Sequence, residues 1–114
     1  LPYFPETDLA LDAAALGQMR RGACLVSCGS GSVVDEGALA EALRDGRLGG
    51  AALDTYEWEP LQADNPLRRL AVEDPHANVL LTPHIAAGAA RAGEVASRRR
   101  DYEPIMRYLR RAVN

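Results

Sequence analysis

His84, Glu59, Asp54 and Ser30 are the side chains whose types and spacing suit chemistry on a small molecule. A histidine gives or takes a proton near neutral pH, and a neighbouring carboxylate favours the imidazolium and raises its pKa. Glu59, in Glu57-Trp58-Glu59-Pro60, is the natural partner for His84, in Leu81-Thr82-Pro83-His84-Ile85. Taken alone, a Pro-His pair is more often an ordinary surface or core histidine. Asp54 ends the apolar run Gly50-Ala51-Ala52-Leu53, where a carboxylate can accept a ligand hydrogen bond or simply cap a strand end. Ser30 lies in the turn Gly29-Ser30-Gly31, which is no nucleotide fingerprint, because Val34 holds the third glycine position and no Walker lysine follows. Cys24 and Cys28 are four apart, neither a two-residue metal knuckle nor a redox pair. They read as reduced thiols, and no metal is expected.

Bringing these residues together requires elements that end near one another. Ala23-Cys24-Leu25-Val26 is a short apolar run bounded by glycine and polar residues, which suits a strand buried on both faces. Two similar runs, Gly50 to Leu53 and Val79 to Thr82, predict further buried strands. Asp12 can cap a helix through Leu16 and Met19, with Gly22 just past its end. Asp35 can cap another, where Ala38, Leu39, Ala42 and Leu43 recur at three- and four-residue spacing before Gly46. Strand, helix, strand is a parallel crossover unit. Ligands of parallel α/β sheets bind beyond the carboxyl ends of the strands, where the first strand delivers Ser27, Cys28 and the glycine turn, the second Asp54 and the third His84. Between the last two strands, a long polar segment with Pro60, Pro66 and Pro75 reads as a loop bordering a site. From Gly88, Ala92, Val95, Arg99, Tyr102, Met106 and Leu109 mark one side of a long helix that Pro104 should kink.

Composition narrows the class. The 114 residues suffice for about one domain, and 47% hydrophobic with 25% charged residues is ordinary globular composition. A net charge of -3 leaves no footprint for nucleic acid, and Arg98-Arg99-Arg100 reads as a solvated helix face. No apolar stretch approaches the roughly 20 residues that span a bilayer, and no signal-peptide pattern opens the chain, so a cytoplasmic location is the expectation. The chain starts without Met on the proline-bounded, extended-looking Leu1-Pro2-Tyr3-Phe4-Pro5. A piece of a longer protein, poorly soluble when expressed alone, is expected.

Val33-Val34-Asp35-Glu36, Gly50-Ala51-Ala52-Leu53-Asp54, Glu59-Pro60 and Leu81-Thr82-Pro83-His84-Ile85, in that order, resemble the D-2-hydroxyacid dehydrogenases. Leu1-Pro2-Tyr3-Phe4-Pro5-Glu6-Thr7 resembles the segment following the middle of that family's cofactor domain, so the likeness runs over nearly the whole chain. It implies an α/β fold with a Rossmann-type parallel sheet: residues 1–87 as the second, carboxyl-terminal half of a dinucleotide-binding domain, and residues 88–114 as a terminal helix returning toward a substrate domain. It implies an oxidoreductase of the glyoxylate/hydroxypyruvate reductase kind, passing a hydride between NAD or NADP and a small 2-hydroxy or 2-keto acid. His84 matches the acid/base histidine, Glu59 the glutamate that orients it, and Asp54 the aspartate that accepts from the nicotinamide carboxamide. Pro2 and Thr7 match positions near the adenosine and nicotinamide sides of the cofactor, and Cys28 is placed with the cofactor-binding residues. The family's full-length members are commonly homodimers.

Ser30 departs from the family pattern, which usually has an arginine there to hold the substrate carboxylate. Serine offers one neutral hydroxyl in place of a charged planar fork. A charge-assisted hydrogen bond contributes about 1.5–3 kcal/mol, so its loss implies roughly ten- to over a hundredfold weaker transition-state binding. Flanking Gly29 and Gly31 should leave room for a longer side chain, and Arg91 is the arginine nearest His84 in sequence that could take over the carboxylate. The alternatives are a cofactor-binding scaffold or sensor that has lost turnover, an oxidoreductase whose substrate is not an ordinary 2-keto acid and, less favoured, an isolated interaction module. The glycine fingerprint, and the residue that chooses between NAD and NADP, would lie upstream of Leu1.

Overall fold

The computed structural model describes residues 2–86. In chain order it has α1 (Ala13–Gln18), β1 (Cys24–Ser27), α2 (Glu36–Arg44), β2 (Gly50–Leu53), α3 (Pro66–Glu73) and β3 (Val79–Leu81), with 3-10 turns at Pro5–Thr7 and Gly31–Val33. The chain divides into compact units Leu1–His84 and Ile85–Asn114. The long helix expected from Gly88, with Arg91 and Arg98-Arg99-Arg100, lies outside the described residues.

Local chemistry explains where the helices begin and end. The Asp12 carboxylate accepts from Ala15 N–H at 2.8 Å and the Asp35 carboxylate from Ala38 N–H at 2.9 Å, each satisfying a donor that the first helical turn leaves unpaired. Gly46 follows α2 at φ 63°, a left-handed conformation that costs a Cβ-bearing residue energy.

The three strands are parallel in the order β1-β2-β3. Leu25, Ala51 and Val79 stand in register, as do Ser27, Leu53 and Leu81, and this face joins the core with Leu16, Leu39, Leu48, Leu67 and Leu70. Each fully buried leucine contributes about 1.5–3 kcal/mol. The opposite face carries the registered row Val26, Ala52 and Leu80, with Val26 72% and Leu80 61% exposed.

That row corrects the expectation of a first strand buried on both faces: β1 alternates between exposed and half-buried residues. A run of four apolar residues does not reveal whether one or both faces are covered. The segment between β2 and β3 is likewise not all loop. Asn65 caps α3 through Leu67 N–H and Arg68 N–H, Pro66 takes an early position where its missing N–H is harmless, and Leu67 and Leu70 are buried. The opening is not simply extended either, since Pro5–Thr7 forms a 3-10 turn.

Candidate active site

β2 ends at Leu53, so Asp54 sits at the carboxyl edge of the sheet, buried to 4% exposure. Thr82, just past β3, donates its hydroxyl to Asp54 Oδ1 at 2.6 Å. Tyr56 crosses between the two strand ends. Its hydroxyl lies 3.0 Å from the Leu53 carbonyl and 2.9 Å from the Thr82 carbonyl, and its single proton serves these two acceptors. Burial raises the Tyr56 pKa, so the phenol remains a donor.

Tyr56 also starts the chain of contacts that reaches His84. Its backbone N–H donates to Glu59 Oε1 at 3.1 Å, while Glu59 Oε2 lies 2.7 Å from His84 Nδ1. The hydrogen bond to Glu59 raises the His84 pKa, and the same bond, assisted by the Tyr56 N–H, lowers that of Glu59. Both side chains are partly open to solvent, so the pair combines a favoured charged form with access from outside. His84 has φ 52°, and its N–H donates to the Thr82 carbonyl at 3.0 Å, closing a tight turn over Pro83. A left-handed non-glycine residue costs on the order of 1–3 kcal/mol and persists where its surroundings over-determine it. A cavity of about 170 Å³ opens here, bordered by Tyr56, Glu59, Leu61, Leu81, Thr82 and His84.

The end of β1 forms a second cavity, about 200 Å³, whose wall includes Ser27, Cys28 and Ser30. Ser30 precedes the 3-10 turn and makes no side-chain cap hydrogen bond to it. Cys24 and Cys28 are free exposed thiols. Gly31 is itself closely confined: a Cβ there would lie 2.0 Å from the Tyr56 carbonyl carbon and oxygen and 2.6 Å from Glu57 N. That glycine exists because another stretch of backbone occupies the space.

Thr7 ends the opening 3-10 turn and Pro2 lies just before it. The Thr7 hydroxyl is within 3.0 Å of the Pro2 and Phe4 carbonyls and accepts from Phe4 N–H at 2.9 Å, so its hydrogen bonds are local. A larger cavity, about 370 Å³, has acidic walls that include Asp8, Asp35, Glu36, Glu57 and Asp64, but none of His84, Glu59, Asp54 or Ser30 borders it. Sequence reasoning missed Thr82 and Tyr56. The available signals were a hydroxyl two residues before His84 and an aromatic hydroxyl between Asp54 and Glu59.

Residues 1–86 match the family described as D-isomer specific 2-hydroxyacid dehydrogenase, NAD binding domain. The chain is 40% identical over 98 residues to a D-3-phosphoglycerate dehydrogenase of Haemophilus influenzae, covering 82% of this chain and 22% of that one. It is 43% identical over 87 residues to a glyoxylate reductase of Aeropyrum pernix, covering 76% and 24% respectively. Among solved structures, a D-isomer specific 2-hydroxyacid dehydrogenase from Xanthobacter autotrophicus Py2, in complex with NADPH and MES, superposes with a TM-score of 0.66 at 43% identity, covering 75% of this chain and 25% of that one. The chain thus spans about a quarter of the length of these relatives. With this match over the whole described sheet, the chain belongs to the D-isomer specific 2-hydroxyacid dehydrogenase family, through its NAD-binding domain.

Proposed function

We propose that the protein is an NAD(P)-dependent oxidoreductase acting on a small 2-hydroxy or 2-keto acid, with His84 and Glu59 as its acid/base pair. The observation that carries this reading is the 2.7 Å contact between His84 Nδ1 and Glu59 Oε2 at the carboxyl edge of a parallel sheet. With Nδ1 engaged, Nε2 is the ring nitrogen to face a substrate oxygen. In reduction, the His84 imidazolium donates its proton to the oxygen of the former carbonyl. In oxidation, the neutral imidazole accepts it. Glu59 orients the ring and favours the charged form, which keeps His84 protonated to higher pH.

The residues at the strand ends fit a nicotinamide. Asp54 is a buried acceptor suited to a carboxamide N–H, and the adjoining Thr55 hydroxyl is buried with no hydrogen-bond partner among the described residues. The bound nicotinamide would supply or receive the hydride. Thr82 holds Asp54 in place through its 2.6 Å hydrogen bond.

Ser30 favours a second reading, a cofactor-binding scaffold or sensor with impaired turnover, because no guanidinium stands where the family usually has one. Retention of His84 and Glu59 in contact supports the enzyme, since a scaffold has no need of an acid/base pair. The relatives act on different acids, a phosphoglycerate and glyoxylate by name, so the substrate stays at the level of its class. Cytoplasmic location and homodimeric assembly of the full-length protein belong to the same proposal.

Steady-state kinetics on the full-length protein, with NADH or NADPH and small 2-keto acids, test it. Turnover that falls by about 10²–10⁴-fold in His84→Ala is the expected result. Cofactor binding without turnover of any 2-keto acid would overturn the enzyme reading in favour of the scaffold.

A further inference from the structure

Glu36 opens α2, where a carboxylate normally faces solvent and complements the helix dipole. Here it is buried to 8% exposure and fully engaged. Its Oε1 accepts from Glu57 N–H at 3.2 Å and its Oε2 from Asn65 Nδ2 at 2.5 Å. Asn65 uses its own Oδ1 to cap α3 through Leu67 N–H at 3.0 Å and Arg68 N–H at 3.1 Å. One carboxylate therefore joins the start of α2, the peptide between Tyr56 and Glu57, and the cap of α3. Burial raises the Glu36 pKa against the two hydrogen bonds, with Glu57 and Asp35 adding repulsion. Desolvating a carboxylate is costly, so its burial here calls for a function.

The Tyr56–Glu57 peptide is confined on a second side. Gly31 lies so close that a Cβ would overlap the Tyr56 carbonyl. The residue entering this peptide, Tyr56, presents the N–H that fixes Glu59 Oε1, and Glu59 Oε2 reaches His84. A carboxylate on the α2 side and bare backbone on the Gly31 side thus set where the Glu59 anchor stands.

We infer that Glu36 is a positioning residue for the His84–Glu59 pair, holding through Glu57 N–H the peptide whose neighbouring N–H orients Glu59, with Gly31 as the opposing wall. The inference rests on the acid/base reading of that pair. It assigns Glu36 a role through Glu59, without contact to substrate or cofactor. A merely structural role would act through the Asn65 arm and the α3 cap, and would leave the protonation of His84 as it is.

The test uses the full-length protein with the His84 imidazole followed by NMR titration alongside the pH dependence of kcat. Glu59→Gln sets the scale by removing the charged partner. Glu36→Ala should lower the His84 pKa by a substantial part of the drop seen in Glu59→Gln, and reduce kcat about ten- to a hundredfold with KM for cofactor little changed, as for misplacement of a reacting group. Glu36→Gln keeps the side-chain volume but lacks one of the two acceptors, so it should shift His84 in the same direction by less. This variant reads out the proposal even where Glu36→Ala fails to fold. Asn65→Ala should lower thermal stability through loss of the cap while His84 titrates as in the wild type.

Should Glu59→Gln displace the His84 titration while Glu36→Ala and Glu36→Gln leave it in place, the positioning role is wrong and the acid/base pair stands. A shift in Asn65→Ala as large as in Glu36→Ala also overturns it, by making the effect a general loosening. Should Glu59→Gln itself leave His84 unmoved, the pairing fails and this inference with it.

Discussion

At the ends of β2 and β3, four side chains are held by contacts of 2.6–3.1 Å: Thr82 to Asp54, Tyr56 N–H to Glu59, and Glu59 to His84. At the end of β1, Cys28 is an exposed free thiol and Ser30 makes no cap hydrogen bond to the turn it precedes. The first region is organised by its own residues around the proposed acid/base pair. The second offers a neutral rim where a substrate anion would need a positive charge. The two parts of one sheet edge are thus organised to different degrees, so under the proposed reading the proton-transfer side and the carboxylate-binding side can be tested separately.

The largest expected effect comes from breaking the organised side. His84→Ala in the full-length protein should lower kcat by about 10²–10⁴-fold, the usual contribution of a positioned acid/base group, with cofactor affinity by fluorescence titration largely intact. Equal loss of cofactor affinity would show that the residue supports the fold or the dinucleotide instead.

Filling the other side is the next test. Ser30→Arg should raise kcat/KM for small 2-keto acids by roughly ten- to a hundredfold, because a guanidinium meets a carboxylate with two parallel hydrogen bonds. The gain should vanish in the Ser30→Arg, His84→Ala double variant, since binding the carboxylate without proton transfer yields no product. An arginine that impairs an already efficient wild type would mean that another group holds the acid.

Glu59→Gln sharpens the comparison through pH. Glu59 raises the His84 pKa, so the imidazolium that reduction requires is present below that raised value and is lost as pH rises through it. Removing the carboxylate lowers the His84 pKa. The alkaline limb of the reduction profile should therefore move to lower pH, and oxidation, which needs neutral imidazole, should set in at lower pH. An unchanged profile in both directions would separate Glu59 from the proton transfer.

The smallest effect is expected from Thr82→Val, which removes the hydroxyl held to Asp54 at 2.6 Å. Loss of about 1 kcal/mol corresponds to roughly fivefold weaker cofactor binding by calorimetry, with little change in kcat once the cofactor is saturating. A comparable fall in kcat at saturation would mean that Thr82 also serves the proton-transfer side.

Much of this arrangement is legible in the amino-acid order because it depends on local interactions. Asp12 and Asp35 cap helices whose first N–H groups lie three residues away, Gly46 takes a conformation that few other residues tolerate, and the short apolar runs become strands. The α3 helix was legible in principle from Asn65-Pro66 followed by Leu67 and Leu70, but Pro60 and Pro75 on either side argue for a loop. Proline breaks a helix in its interior and is well suited to its first turn, so position within the element decides its meaning.

Residue types raised His84, Glu59 and Asp54 as candidates, and the resemblance to the family gave them their roles and made the uncharged Ser30 a departure. Only tertiary structure decided that Glu59 meets His84 across 25 residues of chain, that Tyr56 bridges the ends of β2 and β3, and that Gly31 stands against the backbone of Tyr56 and Glu57. It also decided that Glu36, at a helix start where exposure is the norm, is buried against the loop leading to Glu59. The physical reason is range. Caps, turns and apolar periodicity are set within a few residues, whereas contacts between strand ends depend on how register, helix packing and backbone clearance combine across the whole domain.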